Sequence, residues 1–125
     1  MGRQIRFDDQ SLTLKLTGVT GFFALKRKLD IPYSTIKHVL VDTFEAPRWM
    51  LRAPGTSIPA LHIYEGSFKY ADEWYFLSYG KKVPLLSIEL QGHEKYRYVI
   101  VEMDDPTSVA SEIRRRLREW REQSS

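Results

Sequence analysis

Residues 96–120, YRYVIVEMDDPTSVASEIRRRLREW, change from strand-like to helical spacing within a few positions. The apolar run from Tyr98 to Val101 is almost continuous and indicates a buried strand. Asp105 can cap the free amide groups at a helix start, and Pro106 suits the first helical position because it has no amide proton. The stretch therefore predicts a last strand followed by one C-terminal helix.

The predicted helix has a single apolar stripe. Val109, Ile113, Leu117 and Trp120 are four, four and three residues apart, and most of the neighbouring arginines fall outside the stripe. An isolated helix of this length is marginal in water. We therefore expect the stripe to pack on a sheet or to close the end of a barrel.

The residues before this stretch show the spacing of short strands. Alternation at 5–7 and 12–16 predicts either two strands joined by a tight turn or one bent strand with a bulge. Alternation or short apolar runs predict further strands at 22–31, 36–41, 74–77, 86–90 and 96–103, with a turn at 33–35. The last three strands are expected to form two consecutive hairpins. Prolines and glycines interrupt residues 43–67, where we expect only a short strand near 49–52 and a loop around 55–56. We predict one domain over residues 1–122, with a frayed tail at 123–125.

The composition restricts the function classes. A chain of 125 residues, 42% of them hydrophobic, can bury one core. It has no cysteine, which excludes disulfides, thiolate nucleophiles and cysteine-ligated metals and favours a reducing compartment. No apolar stretch reaches the length of a membrane span, and the first residues do not resemble a signal peptide. We expect a cytoplasmic protein without a transmembrane segment.

The charged residues and histidines point to neither nucleic acid nor catalysis. The net charge is +3, and no basic stripe with interleaved exposed aromatics is visible, so we do not expect nucleic-acid binding. His38, His62 and His93 lack metal-ligand spacing, and no nucleophile motif or glycine-rich phosphate loop occurs. We therefore predict no enzymatic activity, no metal and no cofactor.

Three short motifs carry a resemblance to a known family: Ile31-Pro32-Tyr33-Ser34-Thr35-Ile36, Gly55-Thr56-Ser57-Ile58-Pro59 and Gly66-Ser67-Phe68. Together with the order of elements, they resemble bacterial pleckstrin-homology-like (PH-like) domains, within them the branch named for sublancin immunity protein. The resemblance implies a seven-stranded partial barrel of two orthogonal antiparallel sheets, capped by the C-terminal helix. Trp120 is similar to the tryptophan that members carry on that helix. The resemblance also implies a binding or scaffolding module.

The resemblance further implies an anion site. Classical members bind inositol phosphates through basic residues on a strand, a loop and a second strand, and Lys15, Lys26 and Lys28 match that spacing. Arg27 adds a fourth cation. Two strands that flank a turn can direct several cations at one phosphate cluster. Such a protein would bind anionic lipid headgroups or other phosphates at the periphery of a membrane.

Arg48, Trp49 and Arg52 form a second candidate site, because tryptophan and arginine are enriched among residues that dominate protein interfaces. Two hypotheses follow. The sequence favours a module for protein interaction or self-association through an unpaired sheet edge. The alternative is a peripheral binder of anionic lipid or phosphate that uses Lys15, Lys26, Arg27 and Lys28.

Overall fold

The computed structural model describes residues 2–17, 28–44, 51–58, 63–80 and 83–124, with the backbone alone at residues 2, 17, 51–58, 63 and 124. The described residues form a mainly β structure with one C-terminal helix, as the sequence predicts. The strands are β1 (Gly2–Phe7), β2 (Ser11–Thr17), β3 (Lys28–Pro32), β4 (Ile36–Asp42), β5 (Leu51–Ile58), β6 (Ile63–Tyr70), β7 (Glu73–Tyr79), β8 (Leu85–Leu90) and β9 (Tyr96–Val101). The helix, α1, covers Pro106–Ser124.

The first three strands form an antiparallel sheet in chain order. Alternate residues of β2 and β3 point into the core, which gives this sheet one apolar face and one polar face. The buried residues of the apolar face are Leu12, Leu14, Leu16, Leu29 and Ile31. The strand predicted over 22–31 is confirmed from residue 28, and its earlier residues lie outside the described part of the chain.

A single 3₁₀ turn, Tyr33–Thr35, carries the chain from the three-stranded sheet to β4, where the sequence predicted a turn. The hydroxyl of Tyr33 donates a hydrogen bond to the carbonyl of Asp8 at 2.7 Å. The amide of Gln91 donates to the carbonyl of Thr35 at 2.7 Å. The turn is thus bonded to the hairpin between β1 and β2 on one side and to the loop after β8 on the other.

The other six strands form a sheet in the order β4-β8-β9-β7-β6-β5. Strand β9 lies between β7 and β8, parallel to β7 and antiparallel to β8. Of the last three strands, only β8 and β9 form a hairpin, so the prediction of two consecutive hairpins is wrong for β7 and β8. The expectation of seven strands in antiparallel sheets is also wrong, because the described residues form nine strands that include one parallel pair.

The physical reason lies in the connections. Strand β8 pairs with β4 rather than with β7, and the short turn after Leu90 returns β9 into the position between β7 and β8. The central position buries most of β9, from Val99 to Val101, which suits its nearly continuous apolar run.

The interrupted middle of the chain holds two long strands rather than one short strand and a loop. β5 and β6 each have eight residues and pair from Leu51↔Lys69 to Ile58↔Ile63. β5 tolerates Pro54 because it is at the sheet edge and its register shifts between Arg52 and Gly55.

The core lies between the two sheets and is covered by α1. The predicted stripe of the helix packs into it, with Ile113 and Leu117 buried and Val109 and Trp120 half-buried. The six-stranded sheet contributes buried residues from four strands: Ile36, Val39, Phe76, Leu86, Ile88, Leu90, Tyr96, Val99 and Val101. Within the described residues the sheets stay separate in their strand pairing and do not close into a barrel.

The predicted start of α1 is confirmed. The carboxylate of Asp105 accepts hydrogen bonds from the amide of Ser108 at 3.2 Å and from its hydroxyl at 2.8 Å. These bonds lower the pKa of the Asp105 carboxyl. The indole of Trp120 packs edge-on against Tyr33 and donates to the side-chain oxygen of Gln10. The helix extends two residues past the predicted domain boundary at residue 122.

Candidate anion-binding site

The polar face of the three-stranded sheet, here called its outer face, places two of the predicted site residues together. Lys15 on β2 is directly opposite Lys28 on β3. Both side chains are exposed, because Leu14, Leu16 and Leu29 take the alternate positions that point into the core. The strand register therefore brings together two cations that are 13 positions apart in the sequence.

The lysine pair lies at a groove of 370 Å³, here called the sheet groove. Its floor includes Thr13, which is buried although it belongs to the outer face. The residues that line the groove are Arg6, Asp8, Ser11, Thr13, Lys15, Lys28, Asp30 and Pro32. The groove thus combines three cations, two carboxylates and two hydroxyl groups.

Asp30 lies two residues after Lys28 on β3, directly opposite Thr13 on β2. This cross-strand pair forms the row of the groove next to the lysine pair. Its Oδ1 accepts a hydrogen bond from the hydroxyl of Thr13 at 2.8 Å. Residues two apart on one strand lie about 7 Å from each other on the same face. The carboxylate is therefore close to both lysines along the groove, yet no ion pair joins it to either of them.

Neither lysine has an acidic partner among the residues whose side chains the structure describes. The charged pair that the groove does contain, Arg6 with Asp8, is exposed and its atoms are 3.6 Å apart. Like charges directly opposite each other in neighbouring strands repel. The arrangement leaves positive charge that an anion would neutralise.

The remaining predicted site residues cannot be placed. Lys26 and Arg27 lie outside the described residues, directly before Lys28. Arg48 and Trp49 also lie outside them, and for Arg52 only the backbone is described, paired with Phe68. The proposed protein-interaction patch therefore stays a prediction.

Sequence reasoning missed Arg6, Thr13 and Asp30. The alternation of Leu12, Leu14 and Leu16 could have assigned Thr13 to the outer face with Lys15. It could not show that β3 pairs with β2 in the register that places Asp30 beside Thr13, because that register depends on the residues between the strands.

A second polar group, here called the buried cluster, joins the two sheets. The guanidinium of Arg3 donates to Glu65 Oε1 at 2.8 Å and to the hydroxyl of Ser78 at 2.7 Å. The hydroxyl of Ser78 donates to Glu65 Oε2 at 2.6 Å. The side chains of Arg3 and Glu65 are 13% and 5% exposed. Burial raises the pKa of the Glu65 carboxyl, against the opposite effect of its contacts with Ser78 and Arg3.

The outer face of the six-stranded sheet is aromatic. Tyr75 and Tyr98 stack with ring centroids 4.9 Å apart, and Tyr70 meets Tyr75 edge-on. The guanidinium of Arg97 lies 5.8 Å from the centre of the Tyr98 ring. Tyr70 is 38% exposed, while Phe68 and Leu77 nearby are buried. This face, with Tyr70, Tyr75 and Tyr98 as its tyrosine row, has the chemistry of a contact surface.

His93 has a structural role. Its Nδ1 accepts hydrogen bonds from the amides of Lys95 and Tyr96, and Nε2 is 3.1 Å from the carbonyl of Asp30. The described residues contain no group of three or more histidine or acidic side chains that could hold a metal ion. Within the same residues, no helix is long and apolar enough to cross a membrane.

Comparison of the chain with known proteins finds no matching family model, no similar curated protein and no similar solved structure.

Proposed function

We propose that this protein is a non-enzymatic binding module that holds a phosphate-bearing ligand in the sheet groove. The supporting observation is the exposed pair of Lys15 and Lys28, which face each other across adjacent strands without an acidic partner in the described structure. A phosphate group carries about −1.5 to −2 charges at neutral pH and three acceptor oxygens. One such group would neutralise both ammonium groups and relieve their repulsion.

Two further features fit this function. Lys26 and Arg27 directly precede Lys28 in the sequence and are included in the proposal as additional cations. The groove volume of 370 Å³ is in the range of small-ligand sites. The hydroxyl groups that line it, those of Ser11 and Thr13, have no histidine beside them in the groove, so a binding role suits them better than nucleophilic catalysis.

The fold belongs to the same proposal. We infer a variant of the PH-like arrangement, in which two sheets enclose one core and a C-terminal helix covers it. The apolar stripe of α1, with Trp120 packed against Tyr33, supports this assignment. If the ligand is a lipid headgroup, the protein would work at the periphery of a membrane.

The test measures phosphate binding directly. Titration of the protein with inorganic phosphate, followed by amide chemical shifts, should perturb residues of the sheet groove, and affinity should fall as ionic strength rises. The double substitution Lys15→Met with Lys28→Met should weaken binding about five- to twentyfold, the effect of two exposed charge contacts. The control, Lys37→Met with Lys95→Met, removes the same charge from β4 and from the turn before β9 and should retain binding.

A second experiment distinguishes a lipid headgroup from a free phosphate ligand. Vesicles of phosphatidylcholine with phosphatidic acid, compared with phosphatidylcholine alone, test a lipid headgroup by co-sedimentation. Equal losses in the test and control variants, or the absence of binding to both phosphate and vesicles, would reject the proposed function.

The tyrosine row supports a second candidate function, self-association. Tyrosine and arginine are enriched among the residues that dominate interfaces, and this row is partly exposed with Arg97 at its end. Glu89 lies between Arg97 and Lys37 at distances of 2.9 and 3.8 Å, so charges of both signs border the row. A two-fold dimer uses the same patch on both subunits, and a patch with charges of both signs can pair with its own copy. Light scattering should then give a dimer mass that Tyr70→Ser with Tyr98→Ser reduces to the monomer mass.

A further inference from the structure

We propose that the ligand of the sheet groove is a small aminoalkyl phosphate monoester, whose phosphate lies at Lys15 and Lys28 and whose ammonium group lies at Asp30. The inference rests on the proposed phosphate-binding function and specifies its ligand class.

Beside the exposed pair of Arg6 and Asp8, the remaining charges of the groove form a dipole rather than a uniform basic patch. Lys15 and Lys28 occupy one cross-strand row, and Asp30 occupies the next row, opposite Thr13. All three charged side chains are exposed, and none forms an ion pair with a described residue. A polyphosphate or a simple anion would be attracted by the lysines but repelled by Asp30.

The hydrogen bond from Thr13 leaves the second carboxylate oxygen of Asp30 available. Thr13 donates to Oδ1 at 2.8 Å, which fixes the carboxylate at the floor of the groove. Oδ2 has no hydrogen-bond partner among the described residues, and Asp30 is exposed. An ammonium group of the ligand can donate a hydrogen bond to Oδ2, so that both oxygens of this carboxylate would have a partner.

The number of lysines favours a monoester over a lipid diester headgroup. A phosphate monoester carries close to two negative charges at neutral pH, which matches the two ammonium groups of Lys15 and Lys28. A phosphodiester carries one. The rows are about 7 Å apart, and flexible lysine side chains can approach a phosphate that is bonded through a short carbon chain to an amine at Asp30.

The test compares two probes, phosphoethanolamine and inorganic phosphate, on the full chain by isothermal titration. The wild type should bind phosphoethanolamine more tightly than phosphate. Asp30→Asn retains an acceptor for Thr13 but removes the charge. It should weaken phosphoethanolamine binding about two- to fivefold and strengthen phosphate binding by a similar factor, as expected for one exposed charge contact. Asp104→Asn, the same charge change at an exposed position before α1, should shift both affinities in the same direction.

The possible outcomes separate the two proposals. If Asp30→Asn strengthens the binding of both probes, the groove binds phosphate but does not recognise the amine, and only the ligand assignment is overturned. If the protein binds vesicles that contain phosphatidylethanolamine, loses this binding in Asp30→Asn, and does not bind free phosphoethanolamine, the monoester assignment is also overturned. If the wild type binds neither probe nor vesicles, the proposed function falls as well.

Discussion

The buried cluster and the sheet groove both place charged side chains on the three-stranded sheet, but they differ in how those charges are compensated. In the buried cluster, Arg3, Glu65 and Ser78 satisfy one another at 2.6 to 2.8 Å. In the groove, Lys15, Lys28 and Asp30 are exposed and lack ion-pair partners in the described structure. The difference indicates that the first set stabilises the fold, whereas the second is available for a ligand.

The largest effect is expected from Arg3→Met. The substitution would leave the Glu65 carboxylate buried without its cation, and breaking a buried ion pair in this way costs about 3–5 kcal/mol. The free energy of unfolding in urea should fall by that amount. The control is Arg6→Met on the same strand, whose exposed pair with Asp8 contributes about 0–1 kcal/mol. Equal losses in the two variants would contradict the assigned structural role of the buried cluster.

Ser78→Ala should have a smaller effect on stability. It removes the hydroxyl that accepts a hydrogen bond from Arg3 Nε and donates one to Glu65 Oε2. Both atoms lose this partner, which should lower the free energy of unfolding by about 1–3 kcal/mol. Ser87→Ala, at a half-buried position of β8, provides the matched control and should change the free energy of unfolding by less than about 0.5 kcal/mol. If both serine variants behave alike, the hydrogen bonds of Ser78 do not stabilise the fold.

The pH dependence of stability gives a further test of the buried cluster. Burial raises the pKa of Glu65 in the folded protein above its ordinary value of 4.5, so the folded state binds the proton more tightly than the unfolded chain. The contribution of Glu65 to stability should therefore decrease as pH rises from 4.5 through the raised pKa and stay constant above it.

Glu65→Gln lacks this titration. The free energy of unfolding is measured in urea at a series of pH values for both proteins. The value for the wild type minus the value for the variant should decrease as pH rises through that window. An increase of this difference with pH would instead mean that the contacts with Arg3 and Ser78 lower the pKa of Glu65 by more than burial raises it.

The smallest effect is expected in the groove. Lys28→Thr removes one of two like charges that face each other, and it should raise the free energy of unfolding by about 0.2–1 kcal/mol at low ionic strength. Added salt should reduce the gain. Lys37→Thr, which removes a lysine 3.8 Å from Glu89, should give no such gain. A loss of stability in Lys28→Thr would show that Lys28 contributes to the fold and would remove the contrast between the two regions.

The sequence predictions are accurate where an element depends on residues close together in the chain, and they fail where it depends on distant strands. The capped helix, its stripe and the strands β4, β8 and β9 depend on local spacing and are confirmed. For residues 5–16, where the sequence allowed two strands or one bent strand, the structure has two strands, β1 and β2. The region of β5 and β6 was mispredicted because edge position and a register shift allow Pro54 and the glycines inside paired strands. The position of Lys15 on the outer face also follows from local spacing, because the leucines on either side of it point into the core.

The sequence by itself determined that the alternating leucines of β2 face the core and where the helix begins, because alternation and capping involve residues a few positions apart. Only the tertiary structure decided that β9 lies parallel to β7, that Lys28 faces Lys15, and that Arg3 reaches Glu65 and Ser78, 62 and 75 positions away. These contacts depend on how strands order and align within the sheets. That order is fixed by the burial of whole faces, which no local pattern specifies.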